Sequence, residues 1–233
     1  MRLVKDVVEL DVVDSTNSYA LERADEGLLV VAQMQTAGRG RRGRQWFSPR
    51  GLNLYMTLTV EAQDVKYPII AGVAVYEALR EHVPSSHDLR IKWPNDILID
   101  GMKVSGILCE ARGGITAIGI GINVNQDSWP EDLEHQAISL AEVIGHELDM
   151  SGIQEGCISK LEKWFDVYRD RGFGPIRTAF LRYSRFKNTW VMLHDDTRAI
   201  VIDLDMNGQV VVDIAGRIEC ISDPDAILEM DVS

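Results

Sequence analysis

Four arginines, Arg39, Arg41, Arg42 and Arg44, are interleaved with Gly38, Gly40 and Gly43. A guanidinium is a planar fork of donors matched to phosphate and carboxylate oxygens, and glycine lets the backbone approach a ligand closely. The segment therefore points to a small anionic ligand. Like charges should keep such a loop open when it is empty and let it order over an anion. A solvated basic turn is the plainer alternative, but no acidic residue lies nearby to balance it.

Three familiar glycine loops fail here on context. Gly38 to Gly43 spells GxGxxG, yet a dinucleotide loop must open a helix, and Gln45-Trp46-Phe47-Ser48-Pro49 and a strand follow instead. A P-loop needs Lys and Ser or Thr where Arg44 and Gln45 stand. A kinase glycine loop would be accompanied by HRD and DFG, and the chain has neither.

The arginines are exceptional within the chain. Its 233 residues carry a net charge of −12, but from Gly27 to Val60 there are five arginines and no Asp or Glu, so all 36 acidic residues lie elsewhere. An acidic body is poorly suited to DNA, whereas one basic window can grip a small anion. The 45% hydrophobic and 26% charged residues exclude a disordered, collagenous or coiled-coil chain, and the length suggests one or two domains. Cys109, Cys157 and Cys220 form no CxxC pair and the five histidines no HExxH, so neither a disulfide framework nor a zinc site is expected. The longest uncharged stretch, Gly113 to Gln126, is too short to span a bilayer, and the acid-interrupted start has no signal-peptide core. The expectation is a cytoplasmic protein with no membrane or DNA partner.

The elements that must hold the loop follow from periodicity. Asp14, Ser15 and Thr16 can cap a helix to about Ala24, and LLVVAQ (28–33) and LNLYMTLTV (52–60) read as strands on either side of the arginines. Pro68 opens a broadly apolar helix that should end near His82 or Pro84. LRIKW (89–93) reads as a strand stopped by Pro94. Asp100-Gly101 and Gly113-Gly114 should turn three strands, ILI, KVSGILCEA and ITAIGIGINV, into an antiparallel meander. Ser139 caps a short helix, a longer one runs from about Ser151 to Arg171, and another follows Pro175. After Tyr183 short β runs predict a small SH3-like barrel.

Taken together, DSTN (14–17), QTAGRGRRGRQWFSP (35–49), KWPNDI (92–97), GMKVSGIL (101–108) and GIGINVN (119–125) resemble the biotin protein ligases, in that family's order and over essentially the whole chain. The combination of GRGRRGRxW with KWPND is highly specific. The resemblance implies an α/β (α+β) fold: a mixed sheet packed by helices over residues 1–184, then an SH3-like domain over 185–233. It implies ATP and biotin as substrates with Mg2+, and two steps: formation of biotinyl-5′-AMP, then transfer of biotin to a lysine of a biotin carboxyl carrier protein. Only 14 residues precede Ser15, so a ligase without the DNA-binding helix-turn-helix of the regulator-type members is expected. Family members often form homodimers, which extends to this chain only by analogy.

The resemblance also assigns roles. Ser15, Thr16, Asn17 and Gln35 would meet the ureido ring of biotin, with Gly38, Arg39, Gly40, Arg41, Lys103 and Gly106 completing the biotin site. Arg39, Arg41, Arg44, Trp46 and Asn123 would meet the nucleotide, Trp46 packing on adenine and Asn123 hydrogen-bonding it. Arg39, Arg41 and Lys103 would offset anionic charge in the first step, Arg41 also retaining the adenylate. Asp96 would orient or deprotonate the carrier lysine. Simpler readings stand beside these: capping for Ser15 and Thr16, a strand end for Gln35, core packing for Trp46, and turn formation for Asn123 and for Asp96, with Lys92 as a pairing partner of Asp96. In a regular strand Lys103 and Gly106 face opposite ways, so either a bulge intervenes or Gly106 contributes only close backbone approach. The acidic run Asp195, Asp196, Asp203, Asp205 and Asp213 favours carrier docking over phosphate contact by the barrel. A lipoate ligase of the same fold is the rival enzyme, and a nucleic-acid-binding module the rival of another class.

Overall fold

Side-chain alternation along the strands decides which face of the main sheet carries the core and which carries the chemistry. The computed structural model describes residues 2–231. Seven strands, β1 (Asp6–Leu10), β2 (Leu28–Ala32), β3 (Leu54–Glu61), β4 (Leu89–Lys92), β5 (Asp96–Ile99), β6 (Met102–Arg112) and β7 (Ile115–Ile122), form one sheet in the order β1-β2-β3-β7-β6-β5-β4. β1 and β2 are parallel and the remaining neighbours antiparallel. The expected meander is β5 to β7. Asp100, Gly101, Gly113 and Gly114 take φ of 50°, 87°, 60° and 86°, as a two-residue hairpin turn with two left-handed positions requires.

Among the described residues the α-helices are α1 (Thr16–Arg23), α2 (Tyr67–Arg80), α3 (Leu140–Ile144), α4 (Met150–Arg171) and α5 (Gly174–Ser184). Pro68 lies in the first turn of α2, which packs on the sheet and against α4 and α5. Ser139 and Glu142 form a reciprocal capping box on α3. On β3, Leu54, Met56, Leu58 and Val60 enter the main core, as do Ile118, Ile120 and Ile122 on β7. On β2, Leu29 and Val31 join that core while Leu28 and Val30 pack on Ala20 of α1, so α1 covers the opposite face. Thr57, Gly119 and Gly121 alternate with core residues and lie on the α1 side.

A second sheet holds β8 (Trp190–Leu193), β9 (Arg198–Leu204), β10 (Val210–Ile214), β11 (Arg217–Ile221) and β12 (Ile227–Asp231), in the order β11-β10-β9-β8-β12. Val191, Leu193, Val201, Leu204, Val210 and Val212 share one buried cluster with Phe180 and Phe186. The indole N–H of Trp93, just beyond β4, donates to the Gly208 carbonyl at 3.2 Å, and Arg177 of α5 pairs with Asp203 of β9, tying the second sheet to the first sheet and its helices. Several acids of the expected acidic edge form turns: Asp195 accepts from the Thr197 N–H, Asp205 from those of Asn207 and Gln209, and Asp213 from that of Gly216. Among the described residues no helix is long and apolar enough to cross a membrane.

Candidate active site

A bulge brings the first pair of site residues together. Across β5 and β6, Ile97 pairs with Ser105 but Leu98 pairs with Lys103, so Val104 is the extra residue. The slip puts Lys103 and Gly106 on one face: a Cβ on Gly106 would sit 2.9 Å from Lys103 Cε and 2.9 Å from Trp46 Cζ3. Gly106 also stands opposite Gly121 of β7, where a Cβ would be 2.4 Å from Trp46 Cε2. The indole thus rests on a backbone floor that only glycines leave open, with Lys103 Nζ 5.3 Å from its ring centroid.

This floor is one wall of a cleft of about 470 Å³. Ser15, Thr16, Asn17, Gln35, Arg39, Gly40, Arg41, Arg44, Trp46, Asp96, Lys103, Gly106 and Asn123 all line it. Gly38 does not. A Cβ there would meet Ser48 Oγ and Trp46 O at 2.7 Å, so Gly38 serves the close packing of its own loop.

α1 and β3 contribute a continuous polar network. The Thr16 N–H donates to Gln35 Oε1 at 2.9 Å, Gln35 Nε2 donates to Ser48 Oγ at 3.0 Å, and Ser48 donates to the Trp46 carbonyl at 2.9 Å. The hydroxyls of Thr16 and Thr57 are 2.8 Å apart, and Thr57 donates to Asn17 Oδ1 at 2.7 Å. Ser15, Thr16 and Asn17 are buried. Ser15 occupies the N-cap position but makes no side-chain capping bond. Such a set of mixed donors and acceptors along the buried wall of a cleft suits a polar ring that itself both donates and accepts.

The arginine segment folds as a hairpin. Trp46 N–H donates to the Gly38 carbonyl at 2.9 Å and Gly40 N–H to the Arg44 carbonyl at 2.7 Å, around a tight turn with Arg42 and Gly43 at φ of 55° and 73°. Its charges find partners far away in sequence, which the expectation of mutual repulsion did not foresee. Arg39 pairs with Glu110 of β6 at 3.0 Å, Arg41 donates to Asn95 Oδ1 at 3.5 Å, and Arg42 lies 3.5 Å from Asp223, beyond β11. Arg50 pairs with Asp11.

Lys103 Nζ lies 2.7 Å from Asp96 Oδ1, an ionic contact beside the indole. Lys92 is the cross-strand neighbour of Asp96, but it is Lys103 that makes the ion pair. Asn123 donates to the carbonyls of Lys103 (3.1 Å) and Ile138 (3.2 Å), which leaves its carbonyl oxygen as the acceptor for a ligand amine. Burial pushes the Cys157 thiol up to about 12, which disfavours the reactive thiolate.

Sequence reasoning missed Thr57, Asn95 and Glu110. Asn95 donates to the Ile107 carbonyl at 2.7 Å while accepting from Arg41. Inside KWPND it reads as turn chemistry, and only the tertiary contact gives it a place at the site. Glu110 had one available signal: an arginine segment without local acids needs counter-charges from elsewhere.

Known proteins resemble this chain in sequence and in fold. Residues 9–127 match the biotin/lipoate A/B protein ligase family. The chain is 38% identical over 190 residues to the bifunctional ligase/repressor BirA of Bacillus subtilis, covering 75% of this chain and 58% of that protein's length. It is 36% identical to the biotin–[acetyl-CoA-carboxylase] ligase of Paracoccus denitrificans, covering 72% and 76%. The biotin protein ligase of Aquifex aeolicus, solved with biotin and ATP, superposes with a TM-score of 0.85 at 27% identity, over 95% of this chain and 97% of that one. The Leishmania major enzyme, solved with biotinyl-5-AMP, gives 0.66 at 28% identity, over 94% and 99%. By its sequence match and its fold, the chain belongs to the biotin/lipoate A/B protein ligase family.

Proposed function

We propose that the protein is an ATP-dependent biotin protein ligase that makes biotinyl-5′-AMP and then biotinylates one lysine of a biotin carboxyl carrier protein. The observation that carries this reading is the meeting, in one cleft, of the Ser15–Thr16–Gln35 donor and acceptor set with the cations Arg39, Arg41 and Lys103.

In the first step a biotin carboxylate oxygen bonds to the α-phosphorus of ATP and pyrophosphate leaves. Two anions must approach, and preplaced cations lower that barrier. Lys103, Arg39 and Arg41 supply them, and Mg2+ enters as part of the MgATP substrate. Ser15, Thr16, Asn17 and Gln35 orient the ureido ring, while Trp46 and the Asn123 carbonyl oxygen receive adenine. The arginine hairpin, held to the cleft through Asn95, keeps water from the mixed anhydride.

In the second step the carrier lysine loses a proton, its nitrogen bonds to the acyl carbon, and AMP leaves. Asp96 lines the cleft beside Lys103 and is the group to orient or deprotonate that amine. Residues 1–184 form the catalytic portion in this reading. Residues 185–233 form the second portion, whose described residues support the cleft from the hairpin side, where Asp223 meets Arg42.

Incubation with biotin, MgATP and a biotin carboxyl carrier domain tests this. Covalent biotin on one lysine, abolished when that lysine is replaced by arginine, is the expected result. No ATP-dependent labelling would overturn the proposal.

A further inference from the structure

Glu110 lies on β6 on the same side as Lys103 and Gly106, with its side chain about one-third exposed at 32%. Its two carboxylate oxygens accept from Arg39 Nη2 at 3.2 and 3.0 Å, and Oε2 also accepts from Asn17 Nδ2 at 2.8 Å. The other terminal nitrogen of Arg39 donates to Ser18 Oγ on α1 at 2.7 Å. One carboxylate therefore joins the arginine hairpin to the first turn of α1.

The contact to Asn17 raises Glu110 above an ordinary exposed ion pair, which contributes little by itself. Asn17 is 3% exposed and so closely seated that a Cβ on Gly119 would stand 2.3 Å from its Oδ1. An amide can present either its oxygen or its nitrogen to a neighbour, and an ionised carboxylate accepts only. Glu110, together with the Leu108 carbonyl that accepts from the same nitrogen at 3.2 Å, therefore turns the Asn17 nitrogen toward β6 and the Asn17 oxygen toward Thr57. A hydroxyl has one hydrogen, so with Thr57 donating to Asn17 the 2.8 Å contact between the two threonines is donated by Thr16, whose hydroxyl then gives up its longer 3.2 Å contact with Gln35 Oε1. Donation thus runs from Thr16, at the wall of the cleft, through Thr57 and Asn17 to Glu110 as the final acceptor.

We propose that Glu110 is a positioning residue for biotin. Its carboxylate sets the donor and acceptor polarity of the Asn17–Thr57–Thr16 chain and holds Arg39 against the same pocket. This rests on the biotin-ligase reading. Glu110→Gln keeps the size of the side chain but adds an N–H donor, so the Asn17 amide loses its ionic acceptor, the Leu108 carbonyl at 3.2 Å becomes its main anchor, and the polarity is loosened.

The test compares the wild-type chain, Glu110→Gln, Asn17→Ala and the double variant by calorimetric titration with biotin and by pyrophosphate–ATP exchange. Glu110→Gln should raise the biotin Kd and KM about tenfold, with the ATP KM changed less than threefold and Tm within about 2 °C. Glu110→Asp, still an acceptor only, should recover part of the loss. In the double variant the effect should be no larger than that of the stronger single variant. A biotin Kd within twofold of wild type in Glu110→Gln, or multiplying effects in the double variant, overturns the positioning role and leaves the ligase reading intact. A wild-type chain that neither binds biotin nor shows biotin-stimulated exchange overturns both.

Discussion

Gly106 and Gly121 stand directly opposite each other across β6 and β7, and the indole of Trp46 lies over both. The two glycines face the cleft rather than the core, so a methyl group there should harm ligand binding and spare the fold. Gly121→Ala is expected to raise the KM for biotin and ATP by about tenfold or more while Tm stays within about 2 °C. Unchanged KM values would show that the floor is not used.

Lys103 and Asp96 form an ion pair, and the proposed mechanism gives them different steps. Lys103→Met should lower kcat/KM for biotin-dependent pyrophosphate exchange by about 100-fold or more, since a cation facing the developing charge is lost. Asp96→Asn should slow transfer to the carrier by about 100-fold and exchange by less than tenfold, because exchange requires no lysine deprotonation. Equal losses in both assays for Asp96→Asn would assign that carboxylate to the first step.

Arg41 reaches from the hairpin to Asn95. Arg41→Gly should leave adenylate formation measurable but let the intermediate escape, so that lysines of bystander proteins become biotinylated. Retention of the adenylate through gel filtration as tight as in the wild type would contradict this role.

Much of this frame is legible in the sequence because its signals are local. The glycine pairs at Asp100-Gly101 and Gly113-Gly114 mark the hairpins, and Pro68 and Ser139 mark helix starts. β1 is not legible, because its charged residues face solvent on a sheet edge and interrupt the apolar pattern. β12 is missed although Ser222-Asp223-Pro224-Asp225 supplies turn chemistry just before it. The expected site residues other than Gly38 line the cleft, but the Val104 bulge depends on pairing with β5 and the contacts of Glu110 on a fold that joins residues far apart in sequence.

Two carboxylates that pin the helices predict the acid limb of stability. Glu77 of α2 accepts from Lys163 of α4 at 2.8 Å and Tyr183 of α5 at 2.9 Å, and Asp64 accepts from the Lys66 N–H and from Tyr168 of α4. Burial alone would raise both carboxyls, but these donors outweigh it and hold them below their ordinary values. Their stabilisation is complete above the unfolded carboxylate range of about 4 and is lost as pH falls through the lower folded values. Glu77→Gln should lower Tm at pH 7 and make the further loss on acidification shallower. Parallel curves for variant and wild type would contradict this.

The account stands most directly on exchange of labelled pyrophosphate into ATP, measured with biotin, with lipoate and with neither. It predicts exchange that needs MgATP and biotin and is not supported by lipoate. Exchange indifferent to biotin, or driven by lipoate instead, would contradict it.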